Sequence, residues 1–264
     1  MIAIFGAIFF LLFRFITFET DDASELLNQV KIGSATKRWQ AAYELSKVLN
    51  NPKTIPTDIS FKGQMISSYK HSINDDPLVR AYLAIAMGAT GDNYYAEELI
   101  VGLKDDSRES RLASIQAVGM VKALEALPQL SRIVTKSDYP DERLAATMAI
   151  GFIGSPSSIP ILKELLEDEE PNIRWDAAIG LAKMGDKSSA PIIENLMDRD
   201  YLSSFPELDF KEVNKVIMIA IEASKMVQDK RFEPKLVSLA ETDESLKIRD
   251  AAMKTLKNSY NRII

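Results

Sequence analysis

The sequence predicts an all-α fold: an α-solenoid of about six helical hairpins, preceded by one N-terminal transmembrane helix. Three observations carry the solenoid. Arg80, Arg111, Arg143 and Arg174 stand 31, 32 and 31 residues apart, and self-similarity at such a period marks stacked supersecondary units. Pro77, Pro140 or Pro171 lies three residues before the arginine, Gly91, Gly154 or Gly185 eleven after it, and Pro128, Pro160 or Pro191 seventeen after it. Small residues recur at two further phases: Ala86, Ala117, Ala149 and Gly180 six after the arginine, and Gly88, Gly119, Gly151 and Ala182 eight after it.

The first eighteen residues are apolar except for Arg14 and Thr17. As a helix rising about 1.5 Å per residue they would be roughly 26 Å long, short but adequate for a membrane span. Residues 1–18 are therefore expected to form an uncleaved anchor that includes Ile4, Phe9, Phe10, Leu11 and Phe13. No basic n-region precedes the run and no small-x-small site follows it, which argues against a cleaved signal peptide; a buried terminal helix is the other alternative. Arg14, Lys31, Lys37 and Arg38 all lie at or beyond its C-terminal end. By the positive-inside rule the solenoid is expected on the cytoplasmic side of the inner (cytoplasmic) membrane, single-pass. Residues 19–32 are read as a juxtamembrane linker.

Residues 33–74 form a degenerate first repeat. Arg38, Trp39, Ala41, Ala42 and Leu45 echo the pattern Arg174, Trp175, Ala177, Ala178, Leu181. A loop with Pro52 and Pro56 follows, then a predicted helix over 57–73. Four regular repeats occupy residues 75–198, as units 75–104, 105–136, 137–167 and 168–198. In the last of these, Pro171 suits the first turn of a helix, where a missing N–H costs nothing. Ile173, Ala177, Ala178, Leu181 and Ala182 keep helical spacing, Gly185 supplies the left-handed residue that ends the helix, and Pro191 opens the second helix of the hairpin.

Residues 199–242 hold an insertion, RDYLSSFPELDF, and a fifth repeat whose first helix starts at a capping box of Asp209 and Glu212. Residues 243–264 are a C-terminal capping helix with Arg249 in phase. The two small positions of each unit are expected to let neighbouring hairpins approach closely.

This arrangement resembles the HEAT-repeat family, in the short bacterial variant also found in phycobilisome-lyase-like proteins. The resemblance covers residues 75–198. It implies that the phased arginines form a structural ladder with acidic residues at the helix starts: Arg80, Arg111, Arg143 and Arg174 with Asp76, Asp106, Asp141 and Glu170 or their neighbours, with Arg249 continuing the series. It also implies an interaction surface, with second helices lining the concave side through Tyr94, Tyr95, Leu99, Leu130, Ile133 and Leu162.

Enzyme chemistry finds no purchase in the residue inventory. The chain has no cysteine and a single histidine, His71, which excludes thiolate chemistry and multi-histidine metal sites. His71 is read as an ordinary surface or interhelical residue. No phosphate loop precedes a Lys-Ser/Thr pair. We therefore expect no enzyme activity, no cofactor, no metal and no small-molecule substrate; a chromophore-lyase-like enzyme and a soluble scaffold are the alternatives. The net charge is −6, and residues 75–200 hold 13 Lys/Arg against 22 Asp/Glu. An acidic centre disfavours nucleic acid and favours a neutral or basic protein partner. The expected function is a membrane-anchored scaffold docking a protein, as accessory subunit of an integral membrane complex. Tyr94, Tyr95, Tyr201, Phe205 and Phe210 are the candidate partner-binding residues.

Overall fold

A computed structural model of the chain describes residues 22–262. Among them are fifteen α-helices and no strand. Ahead of the repeats stands α1 (Ala23–Ile32). The first unit pairs α2 (Ala35–Val48) with α3 (Ile59–His71), the second α4 (Pro77–Ala89) with α5 (Ala96–Gly102), and the third α6 (Arg108–Met120) with α7 (Leu127–Lys136). The fourth pairs α8 (Pro140–Ile153) with α9 (Ile159–Glu164), and the fifth α10 (Pro171–Lys183) with α11 (Ala190–Asn195). A short helix, α12 (Arg199–Ser203), occupies the insertion. The sixth unit is α13 (Phe210–Val227) with α14 (Phe232–Thr242), and α15 (Leu246–Ser259) closes the stack.

Local chemistry sets these boundaries. Pro77, Pro140 and Pro171 each open a first helix. Gly91, Gly154 and Gly185 follow the first helices with φ of 65°, 64° and 72°; in the third and sixth units the same left-handed turn is made by Lys122 and Gln228. Most second helices are entered through a single 3₁₀ turn, capped by Asp92, Ser155 or Asp186 in three units. The capping box of Asp209 and Glu212 is present at the start of α13.

The first helices α2, α4, α6, α8, α10, α13 and α15 stack in one layer, each on the next, and every second helix packs on the first helix of the following unit. Close approach within the first layer depends on the two small positions. A β-carbon built on Gly88 would stand 2.9 Å from Ala117, one on Gly119 2.7 Å from Ala149, and one on Gly151 3.1 Å from Gly180. The residue eight after one arginine thus lies on the residue six after the next. Large side chains at either place would force the helices apart.

Two expectations are corrected here. The stretch assigned to a linker is helical from Ala23. Asp22 caps α1 by accepting from the Ser24 and Glu25 N–H groups, and Ala23, Leu26, Leu27 and Val30 are buried against α2 and α3. The location as a single-pass inner-membrane protein does not stand: among the described residues no helix is long and apolar enough to cross a membrane. The anchor expected over residues 1–18, with Ile4, Phe9, Phe10, Leu11 and Phe13, lies outside the described residues.

Candidate docking surface

Three of the four phased arginines pair with an acid of the next unit, and Arg111 and Arg174 donate to carbonyls just before their own helices. Arg80 pairs with Asp105, the acid opening the next unit, and donates to the Tyr69 carbonyl at 2.7 Å. Arg111 holds Glu142 at 2.8 Å and donates to the Asp105 carbonyl. Arg143 pairs with Asp168 and donates to the Val134 carbonyl at 2.9 Å. In the first unit Arg38 reaches Asp75 at 2.6 Å. Arg174 differs: it donates to the carbonyls of Asp168 and Glu169 and makes no ion pair among the described residues. The expected pairs of Arg80, Arg111 and Arg143 with Asp76, Asp106 and Asp141 are thus replaced by pairs one unit further on, and the expected pair of Arg174 with Glu170 is not formed. Arg249 makes no ion pair among the described residues, and its Nε is buried without a partner.

The candidate aromatics divide. Tyr95 is 1% exposed and belongs to the core; burial pushes its hydroxyl pKa up. Tyr94 is exposed, with its ring edge-on to Tyr95 and Lys62 Nζ 5.5 Å from its centroid. Leu99, Leu130 and Leu162 are buried and do not line a surface. In the insertion, Tyr201 and Phe205 pack edge-on with Trp175 of α10, at centroid distances of 6.4 and 4.9 Å, and Trp175 Nε1 donates to the Tyr201 hydroxyl at 3.3 Å. They fill the widened gap between the fifth and sixth units. Phe210 stays exposed beneath the Arg199 guanidinium, 5.5 Å away.

Exposed apolar side chains also recur on the first helices. Met148 and Ile179 stand five residues after their arginines, Met120 and Phe152 nine after, and Ile219 and Met226 continue the band on α13. Met120, Met148, Phe152, Ile219 and Met226 are each 40% or more exposed. The band recurs from unit to unit, and where α8 meets α10 Lys183 Nζ lies 4.3 Å from the Phe152 ring centroid. Between α10 and α13 it deepens into an apolar groove of about 220 Å³, floored by Ile179, Met218, Ile219 and Met226, with Lys183 and Glu222 beside it. Asp176, on the same helix as Lys183, has its carboxyl pKa pushed up to about 6 by burial, opposed by the Lys183 charge. Burial in turn lowers the Lys183 pKa. Apolar residues at helical spacing read as core in the sequence; only the pairing of layers shows which of them face water.

Stacked hairpins of this size, joined arginine to acid, define a helical-repeat solenoid. The family model for HEAT repeats matches residues 71–151 and 132–203, together half of the chain. The chain belongs to the HEAT-repeat family. Its backbone is similar to a chain from the complex of CpcE and CpcF of phycocyanin lyase from Nostoc sp. PCC7120, at a TM-score of 0.60 and 16% identity, over 89% of this chain and 86% of that one. It is also similar to the Escherichia coli protein YibA, at a TM-score of 0.53 and 20% identity over 91% and 83%. An engineered protein aligns at a TM-score of 0.52 and 18% identity over 90% and 68%. At these identities the likeness shows the fold alone. No curated protein matches the chain.

Proposed function

We propose that this HEAT-repeat chain is a non-enzymatic scaffold that docks a protein on the exposed face of its first helices. The carrying observation is the band from Met120 through Met148 and Phe152 to Ile219 and Met226, which is exposed on the stack. Exposed apolar runs of this kind mark interaction sites, and methionine, being unbranched and polarisable, suits a face that adapts to its partner. The partner's matching element is an amphipathic helix whose apolar stripe enters the groove between α10 and α13. Its polar flanks are neutral or basic, since the units carrying most of the band hold an excess of acids, 22 against 13. Fold likeness to a lyase chain brings no chemistry with it, and no group of three or more metal-ligating side chains occurs among the described residues.

The test compares affinity capture from extract of the native cell with three baits: the unaltered chain, the double variant Met148→Glu/Phe152→Glu, and Glu164→Lys on α9 as a control. The expected result is a protein held by the first and third baits and reduced at least ~10-fold, about 1.4 kcal/mol, with the double variant. Capture unchanged by the double variant would overturn the proposed face.

A further inference from the structure

Clefts recur along the edge of the stack where a phased arginine meets the acid that follows, and one of them differs in charge. Around Arg80 the cleft is lined by Asp105 and Asp106, with Lys104 the one further cation. Around Arg199, an arginine of the insertion outside the phase, it is lined by Asp198, Asp200, Asp243 and Glu244, with Lys235 the one further cation. The corresponding cleft of the first unit, about 260 Å³, is lined instead by Lys31, Arg38, Ser67, Ser68, His71 and Asp75. Its one carboxylate is engaged through one oxygen: Asp75 Oδ1 accepts from Arg38 Nη2 at 2.6 Å and from the Asp76 N–H at 2.7 Å.

Four buried side-chain polar atoms among the described residues have no hydrogen-bond partner, and two of them belong to this cleft: Arg38 Nε and Ser68 Oγ. Ser68 is only 8% exposed. In three of the four regular units the Nε is used: Arg80 gives it to Asp105, Arg111 to Glu142 and Arg143 to the Val134 carbonyl. The longer turn of the first unit brings Asp75 within reach of Nη2 alone, leaving a donor that can only donate. An unpartnered buried donor is costly, and a ligand acceptor relieves that cost on binding. His71 Nδ1 lies 2.7 Å from the Ser67 carbonyl, so it is the nitrogen that carries hydrogen. Nε2 is then left to donate whenever the ring is charged. The surroundings repeat the bias: residues 31–74 hold seven Lys/Arg against two Asp/Glu.

We propose that this cleft binds a small oxyanion, a phosphate or a carboxylate. Lys31 supplies charge at the mouth, Arg38 Nε and Ser68 Oγ, which have no accessible surface in the structure, supply directed hydrogen bonds once their side chains turn to the ligand, and His71 Nε2 adds a donor when the ring is charged. Carboxylates and phosphates are the ligands that guanidinium and hydroxyl donors recognise together.

His71 is the one histidine of the chain, so its imidazole signals give an unambiguous NMR reporter. The full chain would be titrated with sodium phosphate in one arm and sodium acetate in another, against sodium chloride of equal ionic strength. The expected result is a saturable shift of the His71 resonances with phosphate or acetate and none with chloride, with the midpoint raised at least ~10-fold in both Lys31→Gln and Ser68→Ala. Lys31 is exposed, so its replacement leaves the fold in place. Saturation by phosphate alone assigns a tetrahedral anion, and saturation by acetate as well assigns oxyanions generally. Shifts that follow ionic strength, or that keep the unaltered chain's midpoint in both variants, would overturn the site.

Discussion

Gly119 of α6 and Ala149 of α8 meet backbone to backbone: a β-carbon on Gly119 would lie 2.7 Å from the Ala149 Cα and 2.9 Å from its Cβ. The first-helix layer can therefore close only while this position has no side chain. Gly63, in the middle of α3, has nothing within 4 Å of the same point. The two glycines are chemically identical and should respond oppositely to one methyl group. Gly63→Ala should stabilise the fold by about 0.5–1 kcal/mol through helix propensity. Gly119→Ala should destabilise it by about 1–3 kcal/mol, because backbone has to move. Urea unfolding midpoints of the two variants check this; equal signs would mean the layers are looser than described.

The arginine ladder makes a second contrast. Arg80 and Asp105 are 7% and 9% exposed at their side chains, whereas Arg108 and Asp141 are 47% and 43% exposed. Removing one member of a buried pair strands the other, at about 3 kcal/mol or more. An exposed pair contributes less than about 1 kcal/mol. Arg80→Met should therefore lower the unfolding free energy several times more than Arg108→Met. Similar losses for both would show that the buried pair is not the connector between units.

Asp176 predicts a pH effect of definite sign. Burial raises its pKa to about 6, against about 3.9 for a carboxyl in an unfolded chain. Between about pH 4 and pH 6 the unfolded chain has released this proton and the folded chain still holds it. Folded protein binds more protons there, so this group's share of stability is present below pH 4 and is lost as pH rises through 6. The loss is on the order of 2–3 kcal/mol. Asp176→Asn should remove it, making the variant the more stable form at pH 7.5 and nearly equal at pH 4. Parallel stability profiles for the variant and the unaltered chain would contradict this.

The insertion aromatics are placed to support Trp175, and the expected phenotype is structural. Tyr201→Ala/Phe205→Ala opens space beside a tryptophan that is 7% exposed, a change costing about 3–5 kcal/mol per large aromatic in a closed core and less here, where both rings are half-buried. In a Trp39→Phe background, leaving Trp175 as the sole tryptophan, the emission should shift to the red. An unshifted spectrum with unchanged stability would return these residues to the list of binding candidates.

Much of this architecture was legible in the residues. Period, helix starts, left-handed ends and the small positions all follow from local chemistry that repeats. The acid partner of each arginine was not legible, because a spacing of 25 or 31 residues depends on where the second helix delivers the returning chain. Tyr94 and Tyr95 are neighbours in sequence, and one is core while the other is exposed; a 3₁₀ turn at Asn93–Tyr95 sets the phase, and turn geometry leaves little trace in composition. Helix α1 was visible in the spacing of Leu26, Leu27 and Val30, but its proximity to the apolar run suggested a tether. The exposed methionines were hidden for the opposite reason, since nothing in a methionine distinguishes an inward position from an outward one.

The missing carboxylate at Arg174 has a mechanical meaning. The buried apolar residues separate into two bodies on α10, with Ala177 and Leu181 belonging to one and Trp175, Ala178 and Ala182 to the other. No charged strut from Arg174 crosses this joint, and the insertion lengthens the chain that spans it. The ties across it come from other groups, Lys235 with Asp198 and Arg199 with Asn214. The groove that contains Met218 and Met226 opens at that same joint, so a partner seated there would bridge the two bodies.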